Sequence, residues 1–99
     1  MQNILLDGRT FVDKATTHTL LKDKLDLPEH YGRNLDALWD CLTTDFTEKI
    51  ITVQHPQAIE ENLGRYGKSL LQLFDEVKEY NDALTIVYAY EMKEKEAES

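Results

Sequence analysis

The sequence is poor in cysteine and has no long apolar run. Cys41 is the single cysteine among 99 residues, so no internal disulfide can form and nothing requires an oxidising compartment. No apolar stretch approaches the roughly 18 residues needed to cross a bilayer, and the first residues lack the charged start and apolar run of a secretory signal. We therefore expect a cytoplasmic protein that does not associate with membranes.

Basic residues are also in deficit. The chain has 19 Asp and Glu against 11 Lys and Arg, a net charge of -8, to which residues 91–99 contribute four Glu and two Lys. Such a charge repels nucleic acid and anionic membranes but speeds the encounter with a basic protein. The length suits a single domain. We expect one domain at residues 1–90, an acidic tail at residues 91–99, and a basic protein as the partner.

Three short apolar runs predict the strands of a sheet, at residues 3–6, 49–54 and 84–90. Each run is continuous rather than alternating, which is typical of strands covered on both faces or nearly so. Helical patterns fill the intervals, and strands that alternate with helices form right-handed crossovers. The expected fold is α/β, a small three-stranded parallel sheet in the order 1-2-3 packed with about four helices, chiefly on one face.

Prolines and glycines are rare, and several of them mark the expected helix ends. Pro28 and Gly32 separate the first two helices, Pro56 opens the third, and Gly64 ends it. His18 lies on the apolar stripe of the first helix, which predicts a histidine at the edge of the core. The predicted helices cover residues 14–25, 34–43, 56–63 and 66–80.

The second predicted helix has two chemically different faces. One side carries three leucines, whereas the other carries Asp36, Trp39, Asp40 and Thr43 at the spacing i, i+3, i+4, i+7. With Asn34 as N-cap, Asp36 gains from the helix dipole, but a second carboxylate one turn later costs about 0.2 to 0.5 kcal/mol. Exposed carboxylates beside a tryptophan are typical of a surface that binds a cationic partner. We call these four residues the acidic face.

The segment LPEHYGRNLDALWDCLT, residues 27–43, resembles the barstar family of intracellular inhibitors of the ribonuclease barnase. Weaker similarity at residues 7–8, 69–78 and 84–87 extends the resemblance over about ninety residues. It implies a three-stranded parallel sheet with helices, and an inhibitory surface made of the second helix and the loop before it. In that family, the counterpart of Asp40 takes the place of a substrate phosphate in the ribonuclease active site.

The resemblance also implies a set of partner-binding positions. The expected partner is a basic, secreted, barnase-like ribonuclease, and the chain would be an immunity protein that is monomeric when free. We add His30, Leu35 and Thr44 to the positions that match the family. The matching positions are Asp36, Asp40, Trp39, Thr43, Asn34, Gly32, Tyr31 and Glu76.

Three departures from the family pattern lie near these positions. Thr44-Asp45 replaces a usual Gly-Trp pair, His30 replaces an aromatic residue, and Tyr80 replaces an acidic residue near the end of the last helix. A neutral His30 can stack on an active-site ring, so affinity should weaken as the pH falls through about 6.5. The departures favour an alternative, a barstar-fold interaction module that binds a different basic protein or toxin.

A hydrolase is a further alternative, because Asp36 and Asp40 could act as acid and base or hold a hard divalent metal. An open helix face, however, lacks a cleft that would raise the pKa of one carboxyl. Cys41 is surrounded by acids, which raise the pKa of a thiol, so it is interpreted as a buried structural residue rather than a nucleophile. The three histidines lack the spacing of a zinc site. We expect no enzyme, metal or cofactor.

Overall fold

The computed structural model describes residues 2–90, so the tail predicted at residues 91–99 lies outside the described residues. The strands form one parallel sheet in the order β1-β2-β3, which confirms the predicted topology. A single 3₁₀ turn at Gly8–Thr10, which was not predicted, follows the first strand. The strands are β1 (Gln2–Asp7), β2 (Lys49–Gln54) and β3 (Leu84–Ala89). The helices are α1 (Lys14–Leu25), α2 (Leu35–Thr44), α3 (Pro56–Leu63) and α4 (Arg65–Val77).

The sheet buries one face, which agrees with the expectation of helices chiefly on one face, and its strands are not covered on both faces. Leu6, Ile51 and Val53 are at most 1% exposed and lie in the core. On the opposite face, Leu5 of β1 and Val87 of β3 both lie opposite Thr52 of β2. Their exposed fractions are 53% and 42%. A continuous apolar run shows that a strand is apolar, but not how many helical layers cover it. Three strands are too narrow to need two such layers.

Helix α4 supplies the opposing side of the core. Leu70, Phe74 and Val77 lie on one stripe, and each is fully buried. The helix ends at Val77 rather than at Tyr80, because the N–H groups of residues 79 and 80 bond to carbonyls three residues earlier, at 3.0 Å. The chain therefore tightens into a turn before β3.

Helix α2 is fixed at both ends by asparagines. At its start, Asn34 Oδ1 accepts the Ala37 N–H at 2.8 Å, which confirms Asn34 as the N-cap. At its end, the buried amide of Asn81 donates to the carbonyls of Leu42 and Asp45, both at 2.8 Å. Carbonyls at a helix end that lack partners are costly to bury. Asn81 therefore ties the end of α2 to the segment that leads into β3.

His18 lies deeper than predicted. It is 2% exposed, within the core rather than at its edge. This burial is tolerated because both ring nitrogens meet tyrosine hydroxyls, one from Tyr31 and one from Tyr66.

Candidate partner-binding surface

The acidic face of α2 is presented to solvent. Asp36 and Asp40 are exposed, whereas Leu38 and Leu42 on the opposite side are buried, as the periodicity predicted. Within residues 2–90, neither carboxylate accepts a hydrogen bond or pairs with a cation. Asp36 lies in the first turn of the helix, and Asp40 lies one turn later. The two charges therefore repel each other in the unbound chain and are available to a cationic partner.

Asp45 behaves differently from these two residues. Its carboxylate pairs with Lys49, whose ammonium is almost completely buried, and it also accepts the Thr47 N–H at 3.0 Å. These two hydrogen bonds lower the pKa of Asp45 to about 2. The extra negative charge that the sequence places after α2 is thus neutralised within the chain. The other ion pairs in the described residues are Asp7 with Arg9, Glu29 with Lys22, and Glu60 with Lys68.

A groove of about 530 Å³ lies between α2 and the site loop, which we define as residues 26–34. Asp26 and Asp45 line it together with Asp40, so three acidic residues contribute to one open cavity. Neither Asp26 nor Asp45 belonged to the predicted binding set, and no local pattern places Asp26 beside α2. The predicted positions that line the groove are His30, Tyr31, Gly32, Asp40 and Thr44.

Trp39 packs partly against its own protein. Its ring lies edge-on to that of Tyr80, with centroids 5.2 Å apart and planes inclined at 69°. Trp39 is half-buried, but Tyr80 is 67% exposed, so an aromatic surface continues from α2 to the end of α4. Glu76, one turn before Tyr80, is exposed and accepts the Gln72 amide at 3.1 Å. The use of Trp39 and Glu76 in binding stays a prediction.

Several predicted positions also make contacts that hold the surface in place. Tyr31 is 5% exposed, and its hydroxyl is bonded to His18 at 2.7 Å. The Asn34 amide group donates to the Gly32 carbonyl at 3.2 Å while its oxygen caps α2. Leu35 is half-buried and packs against the core. Little of Tyr31 is therefore exposed to a partner.

The two threonines at the end of α2 bond back into the helix. Thr43 donates to the Trp39 carbonyl and Thr44 donates to the Asp40 carbonyl, each at 2.7 Å. Both hydroxyl hydrogens are therefore used within the helix. Each oxygen still has lone pairs, so these threonines can act as acceptors toward a partner's N–H groups.

Cys41 is half-buried and lines the groove, so the prediction that it is buried was wrong. Desolvation raises the pKa of its thiol, and the nearby carboxylates of Asp40 and Asp45 raise it further. The predicted direction is therefore confirmed, and a protonated thiol is a poor nucleophile. Residues 2–90 contain no group of three His, Cys, Asp or Glu arranged to hold a metal ion. No helix in the same range has the length and apolar character to cross a membrane.

Comparison with known proteins supports the resemblance seen in the sequence. Residues 1–93 match the family described as Barstar (barnase inhibitor). A protein of Bacillus subtilis (strain 168) named "Putative ribonuclease inhibitor YrdF" is 42% identical over 81 residues, which make up 80% of this chain and 88% of that protein. Since the family match spans nearly the whole chain and the sheet order and four helices agree with it, the chain belongs to the barstar family.

Proposed function

We propose that this chain inhibits a small basic ribonuclease by covering its cationic active site with the carboxylates of α2. The observation that carries the proposal is the exposure of Asp36 and Asp40 on adjacent turns with no cation of residues 2–90 beside them. A ribonuclease must neutralise a phosphodiester, so it concentrates Arg, Lys and His in a cleft that carboxylates can enter. The family and the name of the relative support an inhibitor rather than an enzyme.

In this proposal, the three exposed acids have different tasks. Asp40 lines the groove and is the carboxylate that enters the ribonuclease active site. Asp36, one turn earlier, meets a second cationic group, and Glu76 contributes a contact at the rim. Pairing removes the repulsion within the acidic face and gives each desolvated carboxylate a partner, without which burial would cost several kcal/mol.

The overall charge supports the same partner. A net charge of -8 attracts a basic protein over a distance and repels RNA, the substrate of the ribonuclease. An inhibitor of this kind protects the RNA of the producing cell. We therefore place it in the cytoplasm, as a monomeric immunity protein whose target is a barnase-like ribonuclease made for secretion.

The direct test is to titrate the purified chain into barnase and a panel of small basic ribonucleases while RNA cleavage is followed by fluorescence. We expect one-to-one loss of activity with at least one enzyme, and a large rightward shift of that titration for Asp40→Asn. Glu61→Gln is the matched control, because Glu61 is an exposed acid on α3. Full ribonuclease activity throughout the panel, or equal inhibition by wild type and Asp40→Asn, would contradict the proposal.

A second candidate is a module of the same fold that binds a basic protein of another activity. It is favoured by the position of His30 and Thr44, which depart from the family pattern and line the groove where a partner would enter. Capture of partners from the native organism, followed by an RNA-cleavage assay of the captured protein, separates the two candidates. A captured basic protein without nuclease activity would support the second.

A further inference from the structure

Three side chains from distant parts of the chain meet beside the groove. His18 comes from α1, Tyr31 from the site loop and Tyr66 from α4. The Tyr31 hydroxyl lies 2.7 Å from His18 Nδ1, and the Tyr66 hydroxyl lies 2.6 Å from His18 Nε2. His18 and Tyr31 are buried, whereas Tyr66 is half-buried. One imidazole therefore joins the site loop to two helices.

The arrangement fixes which group donates each hydrogen bond. A neutral imidazole donates from one nitrogen and accepts at the other. The Tyr31 hydroxyl has no second polar partner within residues 2–90, so its hydrogen is satisfied only if it donates to Nδ1. His18 Nε2–H then donates to Tyr66, whose half-exposed hydroxyl can give its own hydrogen to solvent. Burial, together with the charge of Arg33, lowers the pKa of His18 and so favours the neutral form that this pattern requires.

A second contact ties the same loop to the same helix. Arg33 Nη1 donates to the Thr19 hydroxyl at 2.9 Å, one residue beyond His18 on α1. The backbone of Arg33 has a φ of 56°, a left-handed conformation that a residue with a side chain holds only when its surroundings impose it. Gly32, between the two tethered residues, lines the groove. The position of the loop relative to α2 is therefore set from α1.

We propose that His18 is a positioning residue for partner binding, which holds Tyr31 so that the site loop keeps the groove shaped beside Asp40. The partner then meets a loop that is already ordered, and binding costs less conformational entropy. The inference deepens the proposed function and rests on it for the identity of the partner. The structural part of the inference is that the His18–Tyr31 hydrogen bond orders the site loop, and we call this bond the tether. It does not depend on any partner.

The tether is tested first in the unbound chain, by amide hydrogen exchange at constant pH. Tyr31→Phe removes the hydroxyl, and we expect exchange at the Tyr31 N–H, which bonds to the Pro28 carbonyl at 3.0 Å, to rise about fivefold or more. Amides of β2 should keep their rates. The matched control is Tyr88→Phe, which removes a hydroxyl that bonds Asp75 at 2.6 Å between β3 and α4. Unchanged loop exchange in Tyr31→Phe, or an equal rise in both variants, would overturn the proposal.

The functional part is tested with barnase, or with whichever ribonuclease of the panel wild type inhibits, as the probe. We expect Tyr31→Phe and His18→Leu to dissociate from it about tenfold faster than Tyr88→Phe, since each loses one or more hydrogen bonds that order the loop. His18→Gln should recover most of the loss, because its amide can both accept from Tyr31 and donate to Tyr66.

A purely structural role gives a different outcome. All these substitutions would then lower the melting temperature while the dissociation rates stayed equal, and that result would overturn the proposal. If wild type inhibits no ribonuclease, the proposed function fails, whereas the exchange experiment still decides the role of His18.

Discussion

The buried ammonium of Lys49 donates to the carboxylate of Asp45, a residue that lines the groove beside α2. Asp40 lines the same groove, but no cation of residues 2–90 pairs with it. The ion pair with Lys49 thus distinguishes Asp45 from Asp40, although the sequence alone gives no sign of this difference. The charge of Asp45 contributes to the stability of the unbound fold, whereas that of Asp40 is available to a partner.

Asp45→Asn should lower the free energy of unfolding at pH 7 by about 1 to 3 kcal/mol, because it leaves Lys49 buried without a counter-charge. Solvent at the half-exposed position of residue 45 reduces this cost. The pKa of Asp45 falls from 3.8 to about 2 on folding, so its contribution is complete above about pH 4. It is then lost as the pH falls toward 2. Urea unfolding across this range should show a weaker pH dependence in Asp45→Asn than in wild type.

Asp36→Asn is the control for that experiment, because Asp36 has no partner to lose in residues 2–90. Its stability at pH 7 should stay within about 0.5 kcal/mol of wild type, the range usual for surface substitutions. Equal losses in the two variants would contradict the assignment of Lys49 to Asp45.

Asp40→Ala should weaken the complex with the cognate ribonuclease far more than Glu76→Ala. Removing Asp40 leaves the enzyme's active-site cations desolvated without a partner, which costs about 3 to 5 kcal/mol. Glu76 lies at the solvated rim, where an ion pair contributes about 0.2 to 1 kcal/mol. Dissociation constants measured by stopped-flow kinetics would decide this, and comparable losses would place the centre of the interface elsewhere.

The association rate should depend steeply on salt. Long-range attraction between the acidic chain and a basic ribonuclease is screened over about 10 Å at 0.1 M salt, so we expect the rate to fall about tenfold or more between about 0.05 and 0.5 M NaCl. The dissociation rate should change much less, because contacts inside the interface exclude solvent. An association rate that is independent of salt would argue against electrostatic steering.

Affinity should fall as the pH is lowered from about 8 to 5.5, the range in which an exposed histidine gains its proton. His30 lines the groove together with Asp40. A cationic partner repels a protonated ring, so binding favours the neutral ring. The pH dependence should be smaller in His30→Phe, and an equal dependence in both proteins would exclude His30 as its source.

Much of the fold was predictable from local pattern. The first helix was predicted at residues 14–25 and is Lys14–Leu25, and Asn34 caps α2 as its side chain suggested. Such features depend on neighbours within one turn. The end of α4 was predicted three residues late, because its last residues tighten into a turn before Asn81, which bonds to the far end of α2. That contact joins residues 39 positions apart and leaves no local signal.

In the candidate site, too, local features were predictable and contacts between distant residues were not. The spacing of Asp36 and Asp40 was enough to place both on one face of α2, opposite the leucines. The groove was not predictable, since its walls come from separate segments. The burial of Tyr31 was not predictable either, because it depends on a hydrogen bond to a histidine 13 residues earlier, and its use in binding stays a prediction.

The sequence by itself determined the acidic charge, the alternation of strands and helices and the two faces of α2, because composition and periodicity act over a few neighbouring residues. Only the tertiary structure decided that Lys49 neutralises Asp45, that Asp40 has no cation in residues 2–90, and that His18 is bonded to Tyr31 of the site loop. Each of these depends on which side chain folding brings within hydrogen-bonding distance, and that distance is set by the packing of whole elements.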